Sequence, residues 1–147
     1  MSAAIRPAGA ADWGGVCDLL NAARLPLDGL SERLEHFLVA EVDGRIVAAA
    51  GLERYDDNVL LRSVAVDASH RGTGLGAMLS EAALAMARQL GARDAYLLTD
   101  TAAGFFRRRG FEVIERKEVP PGIRESVEFA VACPDSAIVM RRTVMDA

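Results

Sequence analysis

One stretch of this sequence points to a particular chemistry. Val64-Ala65-Val66-Asp67-Ala68-Ser69-His70-Arg71-Gly72-Thr73-Gly74-Leu75-Gly76 runs from an apolar strand into glycines that open a helix. Glycine lets the backbone approach a ligand closely and turn without a Cβ clash. Several amides converge at a helix N-terminus, where the aligned peptide dipoles add roughly half a positive charge. Such a turn is a site for phosphate oxygens, and Arg71 supplies a fixed cation beside them. Two common phosphate loops do not fit. A Walker loop ends in Gly-Lys-Ser/Thr, whereas Gly76 is followed by Ala77. A dinucleotide fingerprint spaces its glycines Gly-x-Gly-x-x-Gly at the first strand–helix turn; here the spacing is Gly-x-Gly-x-Gly and falls in mid-chain.

The surrounding pattern supplies the elements that must hold this turn. Ala4–Arg6 reads as a short first strand. Trp13, Val16, Cys17 and Leu20 then share one helical face, with Asp12 placed to cap that helix and Pro26 beyond its end. A second short helix is expected after Asp28 and Ser31. Phe37–Glu41 and Ile46–Leu52 flank Asp43-Gly44, a hairpin signal. A polar turn at Asp56-Asp57-Asn58 leads into Val59–Val66, almost continuously apolar and therefore central in a sheet. Leu75, Met78, Leu79, Ala82, Met86 and Leu90 mark a long helix, which Gly91 stops. Ala95–Leu98 is the next strand. Thr101 caps a short helix to Arg109, Phe111–Glu115 starts another strand, Pro120-Pro121-Gly122 opens an irregular stretch, and Ala137–Arg141 is the last strand. The expectation is an α/β fold with a mixed, mostly antiparallel central sheet flanked by helices. Only Val59–Val66 and Ala95–Leu98, joined by a helical crossover, run parallel.

Composition bounds the rest. With 147 residues, one domain spanning 1–147 is expected. The balance of 17 basic to 21 acidic residues, net −4, is the wrong sign for wrapping nucleic acid. No apolar run reaches the roughly 18–20 residues of a membrane span, and the N-terminus lacks the layout of a secretory signal. Cys17, Cys133, His36 and His70 stand apart, so no metal site is expected and the thiols read as free in a cytoplasmic protein.

The motif Arg71-Gly72-Thr73-Gly74-Leu75-Gly76 after Val64-Ala65-Val66 resembles motif A of the GNAT acyltransferases. A second match follows the long helix: Tyr96-Leu97-Leu98-Thr99, then Phe105-Phe106-Arg107-Arg108-Arg109-Gly110-Phe111, resembles the family's strand, short helix and Phe-Tyr-x-x-x-Gly-Phe pattern. Gly51-Leu52-Glu53-Arg54-Tyr55, Leu61-Arg62-Ser63 and the tail Glu128-Phe129 to Cys133-Pro134 are similar to the small GNAT proteins of arsenic-resistance operons. Those in turn are similar to acetyltransferase domains acting on amino acids such as glutamate.

The resemblance implies acetyl-CoA as cosubstrate, no metal, a small-molecule amine as acceptor and a homodimer. It implies a splayed parallel strand pair into which the pantetheine arm slots beside Val64, Ala65 and Val66. The Val64 amide would polarise the thioester carbonyl. Arg71, Gly72, Thr73, Gly74, Leu75 and Gly76 would hold the pyrophosphate, with Thr99 and Phe106 lining the cofactor. Two departures matter: Leu60 stands near the place of the glutamate base of protein-lysine members, and Phe106 where many members have a tyrosine acid. Freeing an α-amino group of pKa ~8 at pH 7 costs about 1.4 kcal/mol, against about 4.6 kcal/mol for a lysine of pKa ~10.4. A site without a strong base therefore favours an amino-acid-like acceptor over a protein lysine. Phe106 and Leu60 also keep open a sensor that binds acyl-CoA without turnover.

For the acceptor, Glu53 is the candidate proton relay and Arg62 the candidate carboxylate clamp, with Ser63, Tyr55 and Arg124 beside them. Strand alternation sends Arg62 and Ser63 to opposite faces, so one of the two is expected in the cleft. Thr101 capping competes with a ligand role for Thr99, and Arg107–Arg109 reads as an exposed last helical turn. Arsenite capture is disfavoured because Cys17 lies on an inner helix face, far in sequence from Cys133; acetylation of an arsenic-containing amino acid remains compatible with the resemblance.

Overall fold

Central strands that are apolar on both faces require cover on both sides, and the chain supplies it. The computed structural model describes residues 3–126, 129 and 137–145. Its elements are β1 (Ala4–Pro7), α1 (Trp13–Ala22), β2 (Phe37–Val42), β3 (Arg45–Tyr55), β4 (Asn58–Val66), α2 (Leu75–Gln89), β5 (Asp94–Thr99), α3 (Ala103–Arg107), β6 (Glu112–Ile114), α4 (Pro121–Arg124) and β7 (Ile138–Thr143). The seven strands form one sheet in the order β1-β2-β3-β4-β5-β7-β6. Among the described residues only β4 and β5 pair in parallel; the other pairings are antiparallel.

The period of two along β2 separates the layers. Leu38 and Ala40 pack with the buried face of α2 (Leu79, Ala83, Leu84, Ala87). Phe37 and Val39 point the other way, onto Val16 and Leu20 of α1. Each fully buried leucine contributes about 2 kcal/mol. Gly51 makes room for this packing, since a Cβ there would sit 2.3 Å from the Phe37 ring. The β2–β3 hairpin turns on Asp43 (φ 52°) and Gly44 (φ 78°), both left-handed, as a two-residue primed turn requires.

Four local expectations are corrected. Asp12 does not cap α1; its carboxylate takes two hydrogen bonds from Arg6 at 2.9 and 2.8 Å and one from the Gly9 amide. Those bonds, the Arg6 ones first, lower its pKa to about 2. No helix follows Asp28 and Ser31: the segment is a run of turns, broken by left-handed Leu34 (φ 52°) and His36 (φ 57°). Thr101 does not cap α3; the Ala102 amide donates to Thr99 Oγ1 at 3.0 Å. The stretch after Pro120 opens with a four-residue helix, Pro121–Arg124, with proline in its first turn, where a missing N–H costs nothing. Glu128, Cys133 and Pro134 lie outside the described residues.

Candidate active site

The site begins with a fault in the sheet. Between β3 and β4 the register advances two residues on β3 (Ala49 to Gly51) and three on β4 (Ala65 to Arg62), so Ser63 and Val64 have no Cα partner there. Ser63 is left-handed, with φ 60°. This is a β-bulge, which bends and twists the strand that carries it. On its other side β4 pairs with β5 only through Asn58, Val59 and Leu60. Beyond Leu60 the two strands part, and a cleft of about 960 Å³ opens between them, with Leu61 to Val66 on one wall and Leu97 to Ala102 on the other. The bulge also corrects the alternation argument: Arg62 and Ser63 both line the cleft.

At one end lies the glycine turn. Gly72 (φ 79°) and Gly74 (φ 84°) are left-handed, a conformation that costs other L-residues about 1–2 kcal/mol. Among the described residues nothing lies within 4 Å of a Cβ built on either. Gly74 is the N-cap of α2 and provides no side-chain cap, so the first amides of a 15-residue helix remain for a ligand. Thr73 Oγ1 donates to the His70 carbonyl at 2.6 Å and Arg71 Nε to the Val66 carbonyl at 3.2 Å, bracing the loop. Asp67 accepts from Ser69 and sits 3.3 Å from His70 Nδ1; these contacts, Ser69's first, lower its pKa. Arg71 and Gly76 line the cleft, Leu75 is buried in the core, and Gly72 to Gly74 form the exposed rim.

At the other end Arg62 is buried, its side chain fully inaccessible. Its guanidinium donates to Asp28 O at 2.8 Å, Pro26 O at 3.2 Å, Glu53 Oε2 at 3.1 Å and Ser63 Oγ at 3.2 Å. Glu53 accepts from Tyr55 OH through its other oxygen at 2.9 Å. Burial first, then that bond to Glu53, pushes the Tyr55 hydroxyl up to about 12. Glu53 and Tyr55 thus stand behind Arg62 rather than among the cleft-lining residues. Arg124 is exposed on α4 and is not among those residues either.

The opposite wall carries Thr99 and Phe106. Phe106 is 6% exposed and packs edge-on to Phe105 and Phe111, so this position offers no proton. The arginine run divides: Arg107 is exposed, Arg108 lines the cleft, and Arg109 lies over the Phe105 ring at 3.8 Å and donates to the Phe105 carbonyl. Sequence reasoning missed the loop at residues 23–26, which also lines the cleft. Its one available signal was that α1 ends without a glycine, since Arg24 occupies that place.

Comparison with known proteins gives this geometry a context. A family model described as an acetyltransferase (GNAT) domain matches residues 33–113. The amino-acid acetyltransferase of Pseudomonas fluorescens is 32% identical over 79% of this chain, which spans 29% of that protein's length. An uncharacterized N-acetyltransferase of Chlorobaculum tepidum is 30% identical over 77% of this chain and 75% of its own. Among solved structures, N-acetylglutamate synthase from Neisseria gonorrhoeae, complexed with coenzyme A and N-acetyl-glutamate, superposes with a TM-score of 0.84 at 22% identity, over 99% of this chain and 36% of that one. A Mycobacterium tuberculosis protein in complex with CoA gives 0.81 at 23% identity, over 97% and 99% of the two chains.

Proposed function

This chain belongs to the GNAT acetyltransferase family; from that premise we propose that it is an acyltransferase, moving an acetyl group from acetyl-CoA to the amino group of a small amino-acid-like acceptor by direct attack in a ternary complex. The observation that carries the reading is the parted β4–β5 pair, running from the bulge at Ser63–Val64 to the uncapped N-terminus of α2. The residues fit the cosubstrate. A cleft between parted strands, with β4 unpaired to β5 beyond Leu60, and a glycine turn beside Arg71 suit a linear arm ending in a diphosphate. Arg71 and Gly72 to Gly76 would hold the phosphates, with Val64, Ala65 and Val66 along the arm and Thr99 and Phe106 opposite. Acetyl-CoA supplies the activated acetyl group as a thioester.

On this reading the Val64 amide, at the bulge where β4 lacks a Cα partner on β3, donates to the thioester oxygen as negative charge grows there. The acceptor amine attacks as its neutral form, so the acceptor's own basicity sets much of the pH dependence. Ser63 faces the cleft as the nearest side-chain hydroxyl to Val64 in sequence. Glu53, with both oxygens engaged, contributes by holding Arg62, and Tyr55 by holding Glu53; Arg124 has no part in the cleft. Family relatives named amino-acid acetyltransferases support an amino-acid acceptor, within which arsenic-containing amino acids are one class to assay. Thiol release from acetyl-CoA with a panel of amino acids tests the proposal. One observation favours a second reading: Phe106 leaves the thiolate side of the cleft without the usual acid. Thermal stabilisation by acetyl-CoA with no thiol release for any amine would make the protein an acyl-CoA sensor.

A further inference from the structure

The cleft concentrates charge against the protein's overall balance. Its charged lining residues, among those described, are Arg24, Arg62, Arg71, Arg108 and one carboxylate, Asp100, in a chain of net charge −4. Arg71 and Arg108 stand toward the glycine turn, Arg71 within it and Arg108 just past α3, whose Phe105 ring lies 3.5 Å from the Cβ position of Gly76. Arg62 is committed to the carbonyls of Pro26 and Asp28 and to Glu53. Those carbonyl bonds hold the loop of residues 24–28 beside Arg62 and Ser63, at the end of the cleft away from the glycine turn.

Arg24 is different. Its side chain is exposed, lines the cleft and makes no hydrogen bond or ion pair among the described residues. Its backbone is left-handed, with φ 58°. The Leu25 amide donates to Leu20 O at 2.9 Å and the Arg24 amide to Asn21 O at 3.1 Å. These are the two bonds of a Schellman turn, with Arg24 at the position where glycine relieves the strain. A strained non-glycine residue at the mouth of a cleft, with its cation unspent, is an outlier that calls for a functional reason.

We infer that Arg24 is the specificity-determining cation for the acceptor. It meets a carboxylate or comparable oxyanion carried by the amine, while Arg62 is the positioning residue that holds its loop. The inference rests on the acetyl-transfer reading and deepens it by naming the acceptor class: anionic amines, in preference to amides or esters of the same shape. A charge-assisted hydrogen bond between guanidinium and carboxylate is worth about tenfold in affinity.

The experiment compares an amino acid with its amide at matched concentrations of free amine, in the wild type, Arg24→Gly and Arg24→Lys. The expected wild-type KM is about tenfold lower for the acid. Arg24→Gly loses that preference, keeps its KM for acetyl-CoA and melts about 3 °C higher, because glycine relaxes the turn. Arg24→Lys retains part of the preference. An acid-to-amide ratio unchanged in Arg24→Gly overturns the inference while leaving acetyl transfer intact. An equal rise in the KM for acetyl-CoA also overturns it, moving Arg24 to the cofactor. Absence of acetylation of either compound by the wild type overturns both, and is told apart because no ratio then exists.

Discussion

The two ends of the cleft are built differently. The end proposed to hold the phosphates is backbone: a bulge, two left-handed glycines and an uncapped helix, all within residues 63–76 of one continuous segment. The end proposed for the acceptor is side chain: Arg62, Glu53 and Tyr55 from two adjoining strands and the loop at 24–28, tied together by hydrogen bonds. Backbone geometry recognises what every member of a family shares, because amides are indifferent to residue type. Side chains gathered from distant segments can be exchanged one at a time, and the acceptor end is where selectivity is free to change. The contrast predicts that damage at one end should leave the other working.

The largest effect belongs to Gly74→Glu. A carboxylate added at the rim of the turn repels phosphate, and a Cβ at φ 84° strains the helix start. Heat of CoA binding should fall below detection, a loss of more than about 100-fold, corresponding to about 2.7 kcal/mol. Gly74→Ala separates the two causes: it carries the strain without the charge and should keep measurable binding. Retention of wild-type affinity by Gly74→Glu would break the comparison at its backbone end. Next in size is Arg62→Ala, which leaves Glu53 and two carbonyls without their buried partner. The cost is about 3 kcal/mol, seen as a fall in Tm of about 10 °C. In the folded fraction, acceptor KM should rise while CoA titration is unchanged. If CoA affinity falls as far as acceptor use does, the ends are not separable.

The same contrast explains what could be read from the sequence. The glycine turn, α2 and the hairpin at Asp43-Gly44 were legible because each is encoded by neighbours in the chain. The parted strands were reached only through resemblance to a family; nothing in Leu61-Arg62-Ser63-Val64 announces a bulge, and alternation alone separated Arg62 from Ser63. Asp12 carries the residue type of a cap, yet Arg6 outbids the helix for its carboxylate because a bidentate charged pair is stronger than a neutral amide contact. Glu53 looked like a relay since a strand-end carboxylate is chemically capable of one. Its two partners come from register and packing, which spacing does not reveal. Arg24 escaped notice because a left-handed arginine is a property of the turn, not of the residue.

The smallest expected effect tests how deep the acceptor network runs. Tyr55→Phe removes one hydrogen bond to Glu53, worth about 1 kcal/mol, and should lower Tm slightly at neutral pH without touching CoA binding. Its pH dependence is more informative than its size. The Tyr55 hydroxyl is raised from 10 to about 12 in the folded protein, so folding favours the protonated form. That contribution is fully present below pH 10, where both states hold the proton, and is lost as pH rises through 12. The stability gap between wild type and Tyr55→Phe should therefore narrow across this window, followed by denaturant unfolding at fixed pH. A gap that stays constant would mean that Glu53 and the buried surroundings do not hold the Tyr55 proton. Glu53 would then hold Arg62 without help from Tyr55, and the side-chain network would shrink to Arg62, Glu53, Ser63 and the loop carbonyls.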